Sequence, residues 1–255
     1  RAVALKLASE GARVIVNDLD EEPANEVVEA IEAAGGEAIA VAGSVTDDAF
    51  AERLINAGVE AFGGVDIIVN NAGYTWDSMI HKMSDDQFDA MIDVHLKAPW
   101  RIIKAASGFI RNAAAEEAAE GREVFRKIVN ISSVAGTGGN IGQTNDSSAK
   151  AGVIGLTKSM AKEWGRLKVN VNCVACGRSE PRLSEATDEK REVEIEGNTI
   201  ALGIPKRIAA GFASMIPLGR AGTPAEAADG VYLFCAPESN YISGQTVIVG
   251  GGATW

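Results

Sequence analysis

The sequence predicts an α/β fold with a doubly wound parallel sheet, and three observations carry that expectation. Short runs of β-branched residues alternate with longer stretches of helical periodicity along the chain, joined by short connections. One apolar run, Ile128-Val129-Asn130-Ile131, reads as a buried strand, as in a parallel sheet. It breaks into the glycine-rich stretch Gly136 to Gly142 and resumes as a helix from about Ser147 to Trp164. Ligands bind at the carboxyl ends of the strands in open sheets of this kind, which puts Ser132 and Ser133 in a functional position.

Taken in order, Arg1 to Glu10 reads as a helix with Val3 and Leu7 on one stripe, stopped by Gly11. A strand follows at Arg13 to Asn17 and is closed by Asp18. Pro23 suits the opening of a second helix, striped by Val27, Val28 and Ile31 and ended by Gly35-Gly36. Glu37 to Val41 is the next strand, Thr46 to Phe62 a helix, and Asp66 to Asn70 another buried strand. Ser84 and Gln87 have capping-box spacing for a long helix to Arg111, with Phe88, Met91, Ile92, His95 and Leu96 on its inner stripe. Ala113 to Lys127, charged and rich in alanine, reads as a solvated helical extension. Lys168 to Val174 is a strand. Residues 178–215 are polar and long enough for a mobile substrate lid or a disordered loop. Thr223-Pro224-Ala225-Glu226 caps a helix to Phe234, and Gly244 to Gly251 holds a final strand.

All 255 residues fit one domain, and 46% hydrophobic content supplies a core. No apolar run reaches the roughly 18 residues a membrane span needs, and no signal peptide opens the chain. A net charge of −11 argues against a nucleic-acid surface, which needs clustered Lys and Arg. Three cysteines form no disulfide framework, which favours a reducing, cytoplasmic compartment. Cys173 and Cys176 form a C-x-x-C, but on a strand that spacing puts them on opposite faces, against a metal or redox role.

These motifs together resemble the short-chain dehydrogenase/reductase family, most closely its β-ketoacyl carrier-protein reductase branch. Ser133 and Lys150 match the serine and the lysine of the family's catalytic pattern, with thirteen and then four residues to each successive position. Asp146 stands where the family has its acid/base tyrosine. Asn70-Asn71-Ala72-Gly73 matches the family's N-N-A-G, and the end of the chain matches its closing G-x-x-x-x-V-x-G-G. The resemblance covers nearly the whole chain and implies a Rossmann-like sheet that transfers a hydride between NAD(P) and a carbonyl or hydroxyl substrate. The substrate it implies is a small molecule or an acyl thioester, such as a 3-oxoacyl thioester. It also implies a homo-oligomer, a tetramer or dimer, that pairs the two long helices and the last strand.

Residue by residue, the resemblance implies a cofactor site at Asp18, Leu19, Asn71, Ala72, Gly73, Lys150 and Gly177. An acid at Asp18 accepts hydrogen bonds from the adenosine ribose and repels a 2′-phosphate, so NAD is expected over NADP; its plainer role is a strand-ending turn residue. Ser44-Val45 replaces a common Asp-Val adenine contact, Cys176-Gly177 replaces Pro-Gly, and Pro181 replaces a nicotinamide-binding threonine. His95 occupies the place of an asparagine that anchors a proton-relay water, and a shuttle or a packed core histidine both fit it. The chain opens on a helix, without the preceding strand and glycine-rich turn of a Rossmann unit. Either the first dozen or so residues are missing from a fragment, which the coherence of the rest favours, or a truncation binds dinucleotide poorly. Asp146 is expected to be an ionised helix acid, held down by Lys150 and too short to replace the phenol. Impaired turnover follows; the alternative is a non-catalytic relative that keeps only fold and oligomerisation.

Overall fold

The structure, a computed structural model, describes residues 1–177, 191–195, 197–202, 211 and 215–253. The main sheet is parallel, in the order β3 (Ile67–Asn70), β4 (Arg126–Ser133), β5 (Val169–Cys176) and β8 (Thr246–Val249). A second parallel pair joins β1 (Val14–Val16) to β2 (Ala38–Ala40). Among the described residues β1 pairs only with β2 and β3 only with β4, so each leaves one edge without a ladder partner.

Alternation along β4 explains the two layers. Ile128 faces a core built with Phe50, Ile55, Met91, Ile103 and Ile110, while Val129 faces Val174, Val231 and Phe234 on the other side. The first core lies under α3 (Phe50–Phe62), α5 (Ala98–Ala119) and α7 (Thr144–Trp164). The second lies under α1 (Ala2–Ser9) and a C-terminal helix, α8 (Pro224–Cys235), with Val3 and Leu7 packed against it as their spacing predicts. Helix α2 (Glu21–Ala33) buries Ala24, Val27 and Ile31.

Several boundaries differ from the sequence reading. Helix α2 starts two residues before Pro23, which the first turn tolerates because its N–H groups have no intrahelical partner. Thr46 does not start α3. It sits in a turn held by Ser44 Oγ at 2.7 Å from its hydroxyl and by Arg101, which donates to its carbonyl. The single long helix from Ser84 is three pieces: α4 (Asp85–Ile92), a π-helical turn at Asp93–Lys97, and α5. The capping box forms as predicted, but Phe88 is exposed rather than on the inner stripe.

The stretch after α5 is not solvated through Lys127. Strand β4 begins at Arg126, whose guanidinium grips Glu117 through bonds of 2.9 and 2.7 Å. Lys127 is buried and donates to Asn170, Ser239 and Asn240. Charge in the sequence signalled surface, whereas satisfied partners allow burial.

The glycine-rich stretch opens with a short helix, α6 (Val134–Gly138), and α7 starts at Thr144 rather than Ser147. Lys150 therefore lies in the second turn of α7, past the strongest field of the helix dipole. Within the stretch expected to be a lid, β6 (Arg191–Ile195) and β7 (Asn198–Leu202) form an antiparallel hairpin turning at Gly197, and Ile200 joins the main core. Pro181 and the rest of residues 178–190, 196, 203–210 and 212–214 of that stretch lie outside the described residues.

Candidate active site

The site grows from the carboxyl ends of the parallel strands. A chain of amides fixes the floor: Asn70 donates to Asn130 at 2.8 Å, and Asn130 donates to Thr157 of α7 at 2.9 Å. Amides that both donate and accept can tie two strands and a helix in one line. Above them, Ser132 Oγ donates to the Lys150 carbonyl and Lys150 Nζ donates to the Ile131 carbonyl, which stitches α7 to the end of β4. That close crossing requires Gly136, where a Cβ would stand 2.7 Å from the Lys150 backbone. Ser133 Oγ accepts from the Ala135 N–H and keeps its own proton for another acceptor. Ser133 and Cys176 are register partners, so both open onto the same end.

Asp146 lies in the first turn of α7, 3% exposed, with Oδ1 3.4 Å from His95 Nε2. Burial raises its carboxyl above the ordinary range, and the charge of Lys150 opposes that rise without overcoming it. This reverses the expected direction. Lys150 is shifted the other way, lowered by the same desolvation with Asp146 opposing. Nor do the two form the expected i, i+4 pair, because the ammonium turns to the Ile131 carbonyl.

His95 is placed by the π-helical turn, an insertion that often marks functional positions. Its Nε2 lies 2.8 Å from the Tyr74 carbonyl, which can only accept, so Nε2 carries the hydrogen and Nδ1 is bare. Burial, helped by the charge of Lys150, pushes the imidazole down to about 3, so it is neutral and its approach to Asp146 is not an ion pair. No hydrogen bond reaches Nδ1. The ring fills the space over Gly73, where a Cβ would lie 2.1 Å from His95 Cε1.

The loop from Tyr74 to Met79 is bound to the start of α7. Asn145 donates to the carbonyls of Trp76 and Gln87, Ser78 N–H to the Gly142 carbonyl, and Gln143 to Asp77 Oδ2 at 2.8 Å. Sequence reading missed Asn145 and Asp77. Only their positions, one residue before Asp146 and four after Gly73, could have drawn attention to them.

The remaining sequence candidates divide. Asn71, Ala72 and Gly73 follow β3 and are exposed at the strand end. Gly177 follows β5, where a Cβ would meet Gly250 at 2.6 Å, so tight packing by itself demands glycine. Asp18 and Leu19 are exposed beyond β1, on the separate strand pair. Asp18 Oδ1 receives one long bond of 3.4 Å from Asp20 N–H. Ser44 is engaged with Thr46. Cys173 is fully buried and Cys176 half-buried, and burial raises both thiols, Cys173 to about 11, which disfavours reactive thiolates.

A family profile described as Enoyl-(Acyl carrier protein) reductase matches residues 1–254. The 3-oxoacyl-[acyl-carrier-protein] reductase FabG of Thermotoga maritima is 34% identical over 256 residues, spanning 99% of this chain and 92% of the relative. An uncharacterized oxidoreductase of Mycobacterium bovis is 38% identical, over 98% of this chain and 90% of its own. The crystal structure of a short chain dehydrogenase from Mycobacterium avium superposes with a TM-score of 0.76 at 35% identity, covering 99% of this chain and 79% of that one. With that profile, those identities and a parallel sheet whose strand ends gather the motif residues, the chain belongs to the short-chain dehydrogenase/reductase family of NAD(P)-dependent oxidoreductases.

Proposed function

We propose that this protein reduces the keto group of a 3-oxoacyl thioester, with NAD preferred over NADP, and turns over more slowly than a tyrosine-bearing member. The observation that carries the reading is the joining of Ser133, Asp146, Lys150 and His95 at one end of β4 and α7. The 3-oxoacyl reductase named among the relatives supports the substrate class.

The residues present fit a nicotinamide dinucleotide. Asp18 offers an exposed carboxylate with free acceptor sites, as ribose hydroxyls require, and its charge disfavours a 2′-phosphate. Leu19, Asn71, Ala72, Gly73 and Gly177 would line the same strand ends, with Lys150 at the nicotinamide ribose. When bound, the dinucleotide supplies or takes the hydride. Ser133 donates its free O–H to the substrate carbonyl oxygen and polarises it. Lys150, with one N–H on Ile131, has two more to give. Asp146 is shorter than a phenol and stops short of the roughly 2.6–3.2 Å that proton transfer needs. Slow turnover follows. Exposed apolar residues on the long helix α5 (Trp100) and the last strand β8 (Val247) support self-association through those two elements.

The test is Asp146→Tyr, assayed with NADH and a short 3-oxoacyl thioester. General acid catalysis is worth about 10²–10⁴-fold, so a gain of at least about 10²-fold in kcat/KM is expected. A variant no faster than its parent refutes the reading. Binding of NADH without any turnover in either protein points instead to a non-catalytic relative.

A further inference from the structure

Reducing a carbonyl needs a proton as well as a hydride, and the residues around Asp146 are poorly placed to give one. His95 is neutral and its single N–H is already directed at the Tyr74 carbonyl. Lys150 points to Ile131. Asp146 is buried under the end of α7 and receives no hydrogen bond closer than the 3.4 Å approach of His95.

One acid nearby is built differently. Asp77 lies on the loop after β3 and is exposed to water. Gln143 Nε2 donates to its Oδ2 at 2.8 Å, and Asn140 in turn donates to Gln143 Oε1 at 2.7 Å, which fixes the amide's orientation. The loop itself is held on both sides of Asp77, by Asn145 on the Trp76 carbonyl and by Gly142 accepting from Ser78 N–H. Among the described residues Oδ1 has no hydrogen-bond partner, which leaves it available to carry a proton. Three hydrogen bonds, at the consecutive residues Trp76, Asp77 and Ser78, hold this exposed carboxyl against the start of α7, whose first turn carries Asp146.

We propose that Asp77 is the proton donor of this chain, occupying the role that Asp146 cannot fill, with Gln143 as its positioning residue. The inference rests on the reductase reading above. In the step it describes, the carbonyl carbon accepts a hydride from a reduced nicotinamide dinucleotide, which leaves oxidised. The π electrons of the carbonyl move to its oxygen, the Asp77 O–H bond breaks, and its proton completes the hydroxyl. Asp77 is then a carboxylate and takes a proton back from water.

The electrostatics agree with the geometry. Desolvation raises Asp77 to about 6; the Gln143 bond opposes the rise, and the negative charge of Asp146 adds to it. Asp146 and Lys150 of α7 and His95 of the π-helical turn are the titratable groups gathered there, and only Asp146 acts on Asp77 appreciably. An acid poised near the working pH is the efficient choice for general catalysis.

The experiment pairs a titration with kinetics in the full chain. The side-chain carboxyl of Asp77, followed by carbon NMR without cofactor, should titrate near 6 and fall toward the ordinary aspartate range in Asp146→Asn. Gln143→Leu should move it further up. With NADH and a 3-oxoacyl thioester, Asp77→Asn should lose about 10²-fold or more in kcat/KM, along with the pH limb near 6. Asp77→Glu should recover part of the rate, and Asp146→Asn should shift the limb downward. An Asp77→Asn variant with parental rate and pH profile overturns the proposal, as does an Asp77 midpoint that ignores Asp146. If the parent itself reduces nothing, the reductase reading falls and takes the donor role with it. Loss on Asp77→Asn in an active parent, with no shared titration, overturns the donor assignment alone.

Discussion

Substituting Gly73 by alanine tests how the histidine is seated. The added Cβ would lie 2.1 Å from His95 Cε1, 2.6 Å from Nδ1 and 3.3 Å from Nε2. Gly73 is not in the left-handed region, so the penalty is steric rather than conformational. The ring, 5% exposed, is packed beneath the loop and must swing away, which breaks its 2.8 Å bond to the Tyr74 carbonyl. Overpacking costs about 1–3 kcal/mol, and leaving a buried acceptor unpaired costs about 1–3 kcal/mol. Partial relaxation of an exposed loop makes the sum about 2–4 kcal/mol.

Urea unfolding of four proteins checks this: the parent, Gly73→Ala, His95→Asn and the double variant. Asparagine is smaller, so it frees the volume that Cβ needs. The double variant should be more stable than the sum of the single effects by at least about 1 kcal/mol, because the two residues touch. A Gly73→Ala midpoint within about 0.5 kcal/mol of the parent, or strict additivity, refutes the packing argument.

Three further outcomes follow from the same structure. Removing one partner of the buried bidentate pair, by Glu117→Gln, should destabilise by about 3 kcal/mol, since Arg126 keeps a buried charge; thermal unfolding measures it. Lys127→Met leaves the side-chain oxygens of Asn170, Ser239 and Asn240 without their donor and should cost about 1–3 kcal/mol in urea. His95, lowered from 6.5 to about 3, binds fewer protons folded than unfolded, so its contribution is full above pH 6.5 and is lost as pH falls toward 3; His95→Asn should flatten the loss of stability on acidification by up to roughly 1.4 kcal/mol per pH unit. Asp77 works against that slope, because its raised value adds stability at low pH that disappears as pH rises through about 6.

Much of the fold was legible because it rests on period and punctuation. Val27 and Ile31, spaced four apart, are buried; Thr223 and Glu226 form their capping box; Ile128 and Val129 face opposite cores. What stayed hidden depends on contacts between distant residues. Arg126 and Lys127 look like surface until Glu117, Asn170 and Asn240 supply partners. The π-helical turn at Asp93–Lys97 breaks the 3.6-residue period by one residue, which no stripe through Phe88 could reveal. Asp77 carries no motif. Its meaning arises only when Gln143, sixty-six residues on, closes over it.

The direction of the Asp146 shift shows why spacing alone misleads about charge. A carboxylate four residues before a lysine should be held ionised, and on an open helix it would be. Attraction between unit charges 4 Å apart amounts to about 1 kcal/mol in water, whereas burying each ion costs several kcal/mol. Here both groups are at least nine-tenths buried, and both move toward neutrality. A phenol in the same place would feel the same burial, and a lysine whose charged form burial disfavours could do less to lower it. Chemistry that needs a proton near neutral pH is better placed at the rim, where water can return the proton and residual desolvation can still lift an acid into range. Asp77 has that position: desolvation is the main cause of its rise to about 6, and the charge of Asp146 adds a smaller part.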